Sequence, residues 1–359
     1  MTSHEATPES RPAPPRADEQ LELERLAPYL REHLPRTGER LEVLQFPGGK
    51  ANLTYLLKYE NVEYVLRRPP LGPVAPGAHD MGREYRVLSR LSKHFPLAPD
   101  CYLYCEDESI IGAPFQVMER RHGQVIFTTL PPVLQQDMAL RRAVGDMLVD
   151  VLARLHRVDR VAAGLADLGR PEGFVGRQLD GWAKRWQAAA HEPVPAIERL
   201  MSWLQRGLPS SDAVSLLHND YKLDNVIVGV DDPSRAVAVL DWDMCTSGDP
   251  LMDLGYLLNQ WVEPEDDPAW ISASLMPTGE GGFGSREDAV QRYAQATGLN
   301  VDQIDWYHAF AAFKFAVVMQ QIYIRYHRGQ TQDERFAGYG QRARDYIDKG
   351  CVIAGLARD

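Results

Sequence analysis

The alternation of apolar and polar positions between residues 41 and 68 predicts three short strands separated by Pro, Gly, Asn and Glu. The predicted strands are Leu41–Phe46, Leu53–Tyr59 and Tyr64–Arg68. Successive side chains of a strand point to opposite faces. Val65 and Arg67 therefore share one face of the third strand, and Leu66 and Arg68 share the other. Two further strands are predicted around Cys101–Cys105 and Pro114–Met118.

The periodicity changes from two to about 3.6 residues in the rest of the chain, which predicts helices. One apolar stripe is especially regular and includes Val144, Met147, Leu148, Val151, Leu152 and Leu155. The predicted helices include Leu21–Leu34, Arg141–Val158, Phe174–Gln187 and Asp305–Arg328.

Composition places this chain of 359 residues among ordinary globular proteins, because 44% of its residues are hydrophobic and 25% are charged. Residues 1–20 differ from the rest. They are rich in Pro, Glu, Arg and Ser, which cannot bury enough apolar surface to fix one conformation. We therefore expect residues 1–20 to form a disordered tail.

The net charge of −11 argues against nucleic acid as the main partner, because phosphate binding needs basic surface. Lys314 interrupts the most apolar predicted helix, and its apolar run is too short to span a bilayer. The first residues lack the apolar segment of a signal peptide. We therefore expect a cytoplasmic protein with no membrane partner. The four cysteines show no zinc-binding spacing.

The residues that point to chemistry lie between Ser215 and Leu258. Asp220 and Asn225 stand five apart in the sequence HNDYKLDN, and Asp241 follows the apolar run AVAVL, which is typical of a buried strand. The spacing of Asp220 and Asn225 is that of a kinase catalytic loop, in which the Asp accepts a hydroxyl proton and the Asn holds Mg²⁺. Hard oxygen ligands on two adjacent loops suit Mg²⁺.

This stretch resembles the aminoglycoside phosphotransferase and choline kinase family, and more narrowly the kinase-like domains found alone or fused to acyl-CoA dehydrogenases. The resemblance implies that Asp220 is the catalytic base and that Asn225 and Asp241 hold the metal. It also implies that Asp253, in the sequence GDPLMDL, orders the catalytic loop. One departure is that Asn219 stands where the family usually has Gly.

The resemblance also assigns residues that bind the nucleotide. The turn between the first two strands contains Gly48, Gly49 and Asn52, which match the loop that covers the phosphates. A Gly-Gly hairpin by itself is more often only a turn. Arg67 takes the place of the lysine that grips the α- and β-phosphates, and Glu84 in the following helix is its expected partner. The alternative for Glu84 is a solvated helix charge.

Three further assignments concern the hinge, the catalytic loop and the acceptor. We place the hinge, whose backbone would contact adenine, at Glu119 to Gly123. Lys222 is proposed to neutralise the moving phosphoryl group, with a solvent-facing lysine as the alternative. Most aromatic residues of the later helices belong to the core, but the resemblance places some beside the acceptor. These candidates are Trp182, Trp186, Trp306, Tyr307, Tyr323 and Arg325.

The resemblance therefore implies an α+β, protein-kinase-like fold of two lobes. Residues 21–120 form the nucleotide-binding lobe, with an antiparallel sheet and a helix. Residues 121–359 form a larger, mainly helical lobe that carries catalytic and substrate-binding residues. ATP and Mg²⁺ are expected in the cleft between the lobes.

The predicted reaction is the transfer of the γ-phosphate of ATP to a hydroxyl of a small molecule. The resemblance favours a metabolite, for example of hydroxyacyl type, over an aminoglycoside. A nucleotide-binding pseudokinase that acts through a partner is the alternative, because Arg67 and Asn219 depart from the usual residues. The sequence leaves the oligomeric state open.

Overall fold

The computed structural model of the protein describes residues 12–47, 52–71 and 80–357. The chain divides into two compact units. The first contains the residues up to Val125 together with Val161–Leu165 and Asn225–Cys245. The second contains Ile126–Arg160, Ala166–Asp224 and the residues from Thr246 onward. The units are therefore not the two continuous segments expected from the sequence, since the hairpin after Asp224 groups with the first unit.

Elements are numbered here in chain order. The helices are α1 (Leu23–His33), α2 (Met81–Leu91), α3 (Pro132–Gln135), α4 (Met138–His156), α5 (Phe174–Ala189), α6 (Pro195–Arg206), α7 (Leu251–Gln260), α8 (Pro268–Ala273), α9 (Arg286–Thr297), α10 (Ile304–His327) and α11 (Tyr339–Ile353). The strands are β1 (Glu42–Gln45), β2 (Leu53–Lys58), β3 (Glu63–Arg68), β4 (Cys101–Cys105), β5 (Phe115–Glu119), β6 (Gln124–Val125), β7 (Ser215–Leu217), β8 (Val226–Val228), β9 (Ala236–Val239) and β10 (Thr246–Gly248).

Five strands of the described chain form an antiparallel sheet in the first unit, in the order β1-β2-β3-β5-β4. Side chains alternate along β3 as predicted, with Leu66 and Arg68 buried and Arg67 on the other face. In the register, Arg67 stands opposite Thr54 on one side and Gln116 on the other. The predicted antiparallel sheet is confirmed, and its register brings Arg67 and Gln116 side by side.

The core of the first unit joins α1 to one face of this sheet. Leu26 and Leu30 of α1 form one apolar cluster with side chains from β2, β3, β4 and β5. The spacing of four residues puts both leucines on one side of the helix. Burial of this stripe explains why the apolar periodicity at the start of the chain predicted the helix correctly.

Part of the expected disordered tail is in fact ordered. Ala13 pairs with Gln45 as an isolated β-bridge, and the Tyr55 hydroxyl donates to the carbonyl of Glu19 at 2.7 Å. The expectation of disorder is therefore wrong for residues 12–20. The polar composition was misleading because the backbone of this segment finds hydrogen-bond partners at the edge of the sheet, where β1 has an unpaired side.

A second antiparallel sheet of the first unit contains β6, β8 and β9. The β8–β9 hairpin ends just before Asp241 and is fixed at that end. Trp242 is buried, its indole packs edge-on against Phe95, and its Nε1 donates to the carbonyl of Val239 at 2.9 Å. This packing holds the backbone on either side of Asp241.

The second unit is mainly helical, with β7 and β10 paired antiparallel. Helix α10 contacts α5, α6, α7 and α11 and runs through the middle of the unit. Its aromatic residues are mostly core, as their number predicted. Within the ranges described, no helix combines the length and the apolar character needed to span a bilayer.

Helix α7 packs closely against α10 at Gly255. A Cβ built on Gly255 would lie 2.5 Å from the carbonyl oxygen of Tyr307, which is backbone and cannot rotate away. Gly181 of α5 offers a matched comparison, because a Cβ there would meet nothing within 4 Å.

We predict that Gly255→Ala lowers the free energy of unfolding by about 1–3 kcal/mol, since the added methyl group forces two helices apart. Gly181→Ala should leave it unchanged or raise it by up to about 1 kcal/mol, because alanine restricts the unfolded chain. Urea denaturation followed by far-ultraviolet circular dichroism measures both. Equal stability of the two variants would contradict the close packing of α7 on α10.

Candidate functional site

The first unit places an arginine between two acidic side chains. Arg67 Nη1 donates to Glu84 Oε1, and Arg67 Nη2 donates to Asp241 Oδ1 at 3.0 Å. Glu84 is completely buried, whereas 12% of the Arg67 side chain and 33% of the Asp241 side chain are exposed. The residues predicted to steady phosphates and to hold the metal are thus brought together by β3, α2 and the end of the β8–β9 hairpin.

The buried acid in this group is held by two donors. Besides Arg67, Gln116 Nε2 donates to Glu84 Oε2. Burial raises the pKa of the Glu84 carboxyl to about 7, while the charge of Arg67 acts in the opposite direction. Burial also opposes the charge of Arg67, but Glu84 and Asp241 outweigh it and raise the pKa of the guanidinium above its ordinary value. Arg67 therefore keeps its charge at any physiological pH.

Asn225 and Asp241 are neighbours in the same unit. The amide N–H of Leu240 donates to the carbonyl of Asn225 at 2.8 Å, which ties the start of β8 to the residue before Asp241. Asp241 has a φ of 67°, a left-handed conformation that few residues other than Gly adopt. Aspartate tolerates it better than most residues because its short side chain can bond locally.

The donor set around Asp241 fits a magnesium ion. Asp241 and Asn225 supply a carboxylate and an amide oxygen, which are hard ligands, and Mg²⁺ usually takes only one or two carboxylates from the protein. The charges of Glu84, Asp241 and Asp243 together exceed the single charge of Arg67 that they surround. Among the described residues, no group of three or more His, Cys, Asp or Glu side chains is arranged as a metal cage.

The second unit holds the predicted catalytic loop through one buried carboxylate. Asp253 of α7 is completely buried and accepts from the backbone N–H of His218 at 2.6 Å and of Asn219 at 2.8 Å. His156 Nε2 lies 3.2 Å from the same carboxylate, and its Nδ1 lies 2.6 Å from the Tyr293 hydroxyl. Because a carboxylate only accepts hydrogen bonds, Nε2 carries a proton here.

These donors decide the charge of Asp253. Burial by itself raises the pKa of the carboxyl, but the hydrogen bond and charge of His156 and the nearby His218 outweigh it and lower the pKa below its ordinary value. The ionised carboxylate accepts strong hydrogen bonds, so it fixes the loop that carries the predicted base. The resemblance had implied that Asp253 orders the predicted catalytic loop, and its hydrogen bonds with the loop N–H groups fit that role.

The backbone conformation of Asn219 explains why asparagine can stand where the family usually has glycine. Its φ is 65°, a backbone conformation that glycine adopts without cost and that asparagine tolerates better than most residues. The Asn219 carbonyl accepts a hydrogen bond from Lys314 Nζ at 3.3 Å. The loop therefore keeps the backbone path that a glycine would allow, even though the residue is different.

Asp220 follows directly and is held by two side chains. Tyr256 of α7 donates its hydroxyl proton to Asp220 Oδ1, and Lys222 Nζ lies 2.9 Å from Oδ2. Lys222 also contacts Asp224 at 3.2 Å and is mostly buried, so the alternative of a solvent-facing lysine is wrong. Burial opposes the charge of Lys222, but Asp220 and Asp224 raise its pKa overall. The lysine is therefore charged beside the predicted base.

Sequence reasoning missed two residues that contact the loop. Tyr256 lies three positions after Asp253 and hence on nearly the same face of α7, a spacing that could have identified it. Burial and the charge of Asp220 raise the pKa of Tyr256 well above its ordinary value, so it remains a donor. Lys314 was noted only as an interruption of an apolar helix. A single cation in an apolar helix is itself a signal that a partner faces it.

The remaining predicted residues belong to the proposed phosphate loop and hinge. Gly48 and Gly49 lie outside the described residues, and Asn52 is buried just before β2. Glu119 ends β5, where its carboxylate accepts from the N–H of Asp100 at 3.1 Å and lies 2.8 Å from Arg121. Its own N–H donates to the carbonyl of Asp100 at 2.8 Å. The side chain and N–H of Glu119 are thus engaged within the unit.

The aromatic candidates for acceptor contact separate by burial. Trp306 and Tyr307 are buried, with Trp306 Nε1 donating to the carbonyl of Leu204 at 2.9 Å and the Tyr307 hydroxyl donating to Asp249 Oδ2 at 2.6 Å. Trp186 is also buried. Trp182, one turn earlier, is partly exposed and lies beneath the charged ends of two side chains. Trp306 and Tyr307 therefore belong to the core.

Comparison with known proteins links this geometry to a family. A family model described as "Phosphotransferase enzyme family" matches residues 42–297. Acyl-CoA dehydrogenase family member 11 from Rattus norvegicus is 36% identical over 321 residues. The aligned part is 87% of this chain but only 41% of that relative, so the chain spans about two fifths of the relative's length.

Solved structures agree with the fold. A crystal structure from Ralstonia eutropha JMP134, provisionally described as an aminoglycoside phosphotransferase, is 32% identical with a TM-score of 0.81 and covers 95% of this chain and 100% of that chain. A thermostable mutant of another aminoglycoside phosphotransferase, in ternary complex with AMP-PNP and hygromycin B, is 17% identical with a TM-score of 0.55 over 90% of this chain and 98% of that one. At that identity the likeness shows the fold alone.

These matches confirm both the predicted resemblance and the predicted fold class, an antiparallel sheet followed by a helical part. The family model covers the strands that carry Arg67, the loop that carries Asp220 and the helix that carries Asp253. The chain belongs to the phosphotransferase enzyme family.

Proposed function

We propose that this protein transfers the γ-phosphoryl group of ATP to a hydroxyl of a small molecule, giving ADP and a phosphate ester. The observation that carries the proposal is the arrangement around Asp220. One carboxylate oxygen is held by Tyr256 and the other by Lys222, on a loop that Asp253 fixes from beneath. A carboxylate fixed in this way is suited to orient an alcohol and accept its proton.

In the proposed step the acceptor oxygen forms a bond to the γ-phosphorus as the bond from that phosphorus to the β–γ bridging oxygen breaks. The hydroxyl proton goes to Asp220, and the leaving electron pair remains on ADP. The charged Lys222 stands beside the base, where it stabilises negative charge that spreads over the transferred group.

We assign the nucleotide and the metal to side chains of the first unit. Arg67, fixed by Glu84, would contact the α- and β-phosphates, with Gly48, Gly49 and Asn52 as the proposed phosphate loop and Glu119 at the proposed hinge. Asn225 and Asp241 would hold Mg²⁺. The chemistry that the metal supplies when bound is neutralisation of charge on the phosphate oxygens. The complex of a family neighbour with AMP-PNP supports ATP as the donor.

For the acceptor we place a metabolic hydroxyl compound, such as a hydroxyacyl derivative, ahead of an aminoglycoside. The support is the 36% identity to a protein named as an acyl-CoA dehydrogenase family member, compared with 17% to the neighbour that holds hygromycin B. The structure that is 32% identical carries the name aminoglycoside phosphotransferase only provisionally. Dehydrogenase activity itself is not part of the proposal. The alternative of a pseudokinase has Arg67 in its favour, since kinases use lysine there. Magnesium-dependent ATP binding without transfer to any acceptor would support it.

We predict that Asp220→Asn lowers kcat for ADP formation by about 10²–10⁴-fold, because the amide cannot accept the hydroxyl proton. The dissociation constant for ATP should stay within about twofold, since the substitution leaves Arg67, Asn225 and Asp241 in place. A coupled assay for ADP with a panel of hydroxyl compounds measures the first, and titration with a fluorescent ATP analogue measures the second. Asp212→Asn, an exposed position of the same unit, is the control. Normal turnover by Asp220→Asn would refute the assignment of the base.

Two neighbouring arginines of β3 give a matched test of the nucleotide site. Arg67 faces Glu84 and Asp241, whereas Arg68 is buried on the other face and donates to the carbonyl of Ile111 at 2.7 Å. We predict that Arg67→Gln weakens ATP binding by about ten- to a hundredfold, because charge-assisted hydrogen bonds are lost. Arg68→Gln should lower the melting temperature but leave ATP affinity unchanged. Equal ATP affinity of the two variants would count against Arg67 as the phosphate contact.

A further inference from the structure

The second unit contains a cation beside the catalytic loop that the proposed reaction does not use. Lys314 lies in the middle of α10 and is partly buried. Its ammonium group lies 4.9 Å from the ring centre of Tyr256 and 5.6 Å from that of Trp182. Its hydrogen bond to the carbonyl of Asn219 uses one of its three N–H groups.

Within residues 12–47, 52–71 and 80–357, no carboxylate lies within ion-pair distance of Lys314. The two nearby acids have other partners. Asp220 is held by Lys222 and Tyr256, and Asp253 is held by His156 and the loop N–H groups. Buried cations in proteins are normally paired, since removal from water costs several kcal/mol. Lys314 thus makes no direct ion pair, although Asp220 and Asp253 lie close enough to act on its charge.

A second cation adds to the positive charge. The Arg185 guanidinium lies 4.4 Å from the ring centre of Trp182, so cations flank that ring from α5 and α10. Burial lowers the pKa of Lys314, Asp220 and Asp253 act against this, and Arg185 lowers it further, with a net decrease. An anion placed beside Lys314 would offset the cost of burying its charge and the repulsion from Arg185.

Tyr256 connects this cation to the reacting carboxylate. Its hydroxyl donates to Asp220, and its ring faces the Lys314 ammonium group. A molecule that presents its hydroxyl to Asp220 can therefore place a second group beside Lys314. The two groups would be separated by about the width of one tyrosine ring. Aromatic rings on two sides leave the intervening part of that molecule in apolar surroundings.

We propose that Lys314, with Trp182 and Tyr256, forms a subsite for an anionic group of the acceptor, so that the substrate is a hydroxyl compound with a carboxylate or phosphate and not a polycation. The inference rests on the proposed phosphotransfer and names its substrate class. A polycationic acceptor would bring positive charge toward Lys314 and Arg185, which is unfavourable in a partly buried site. The overall charge of −11 therefore does not describe the surroundings of the base.

The test uses four butane derivatives that share a terminal hydroxyl and differ at the other end. They are hydroxybutyrate, hydroxybutyl phosphate, butanediol and aminobutanol. Dissociation constants for the full chain are measured by ligand-observed nuclear magnetic resonance in the presence of saturating AMP-PNP, so that phosphate does not report on the nucleotide site. ADP formation with ATP is measured separately for each compound.

Three variants isolate the charge. Lys314→Gln keeps a donor for the Asn219 carbonyl but removes the charge, whereas Lys314→Arg keeps the charge. Lys184→Gln removes an equal charge from an exposed position of α5 and is the matched control. We expect the wild type to bind both anionic compounds about tenfold or more tightly than butanediol, with aminobutanol weakest. The preference should vanish in Lys314→Gln and persist in Lys314→Arg and Lys184→Gln.

The proposal is overturned if the wild type binds the acids and the diol equally, or if aminobutanol binds best. It is also overturned if Lys314→Gln folds and keeps the anion preference, or if it slows all acceptors alike, because Lys314 would then only support Asn219. Should Lys314→Gln fail to fold, the ordering of the four compounds on the wild type still decides. A preference for anions with no ADP formed from any compound would refute the proposed reaction and leave the subsite standing.

Discussion

The buried carboxylate of Asp253 is the interaction on which the catalytic loop depends. It accepts hydrogen bonds from two successive backbone N–H groups and faces the protonated nitrogen of His156. An uncompensated charge at full burial would be very unfavourable, so these donors must stay in place for the unit to fold as it does. The same contacts fix the position of Asp220, because that residue follows the second N–H directly. Stability and the placement of Asp220 are therefore coupled through one side chain.

Left-handed backbone conformations occur in the two segments that are proposed to carry the base and the metal ligands. Among the described residues, Asn219 and Asp241 are the non-glycine residues with positive φ. The left-handed conformation costs an ordinary residue roughly 1–2 kcal/mol, and less for Asn and Asp. Each is held by its surroundings, Asn219 by Asp253 and Lys314, and Asp241 by Arg67. Strained conformations persist where neighbouring contacts determine them, and such positions cluster at functional sites.

Positive charge is distributed differently around Arg67 in the first unit and around Asp220 in the second. In the first unit, acids outnumber the one guanidinium of Arg67, which suits a divalent cation bound with a nucleotide. In the second unit, Lys222 already pairs with Asp220 and Asp224, and no ion pair joins Lys314 to a described carboxylate, although Asp220 and Asp253 act on its charge. This difference is local and is invisible in the net charge of the chain. The proposed acceptor carries a charge opposite to that of an aminoglycoside.

The sequence by itself determined the elements and most of the chemistry. The apolar periods predicted the main strands and helices, because burial of one face leaves a regular pattern, and the spacing of Asp220, Asn225 and Asp241 indicated a phosphotransferase. Tertiary structure alone decided that the β8–β9 hairpin belongs with the first unit, that Tyr256 reaches Asp220, and that Lys314 meets Asn219 from a helix almost a hundred residues later. Periodicity reports which face of an element is buried but not which element covers it, so contacts between distant segments leave no such pattern.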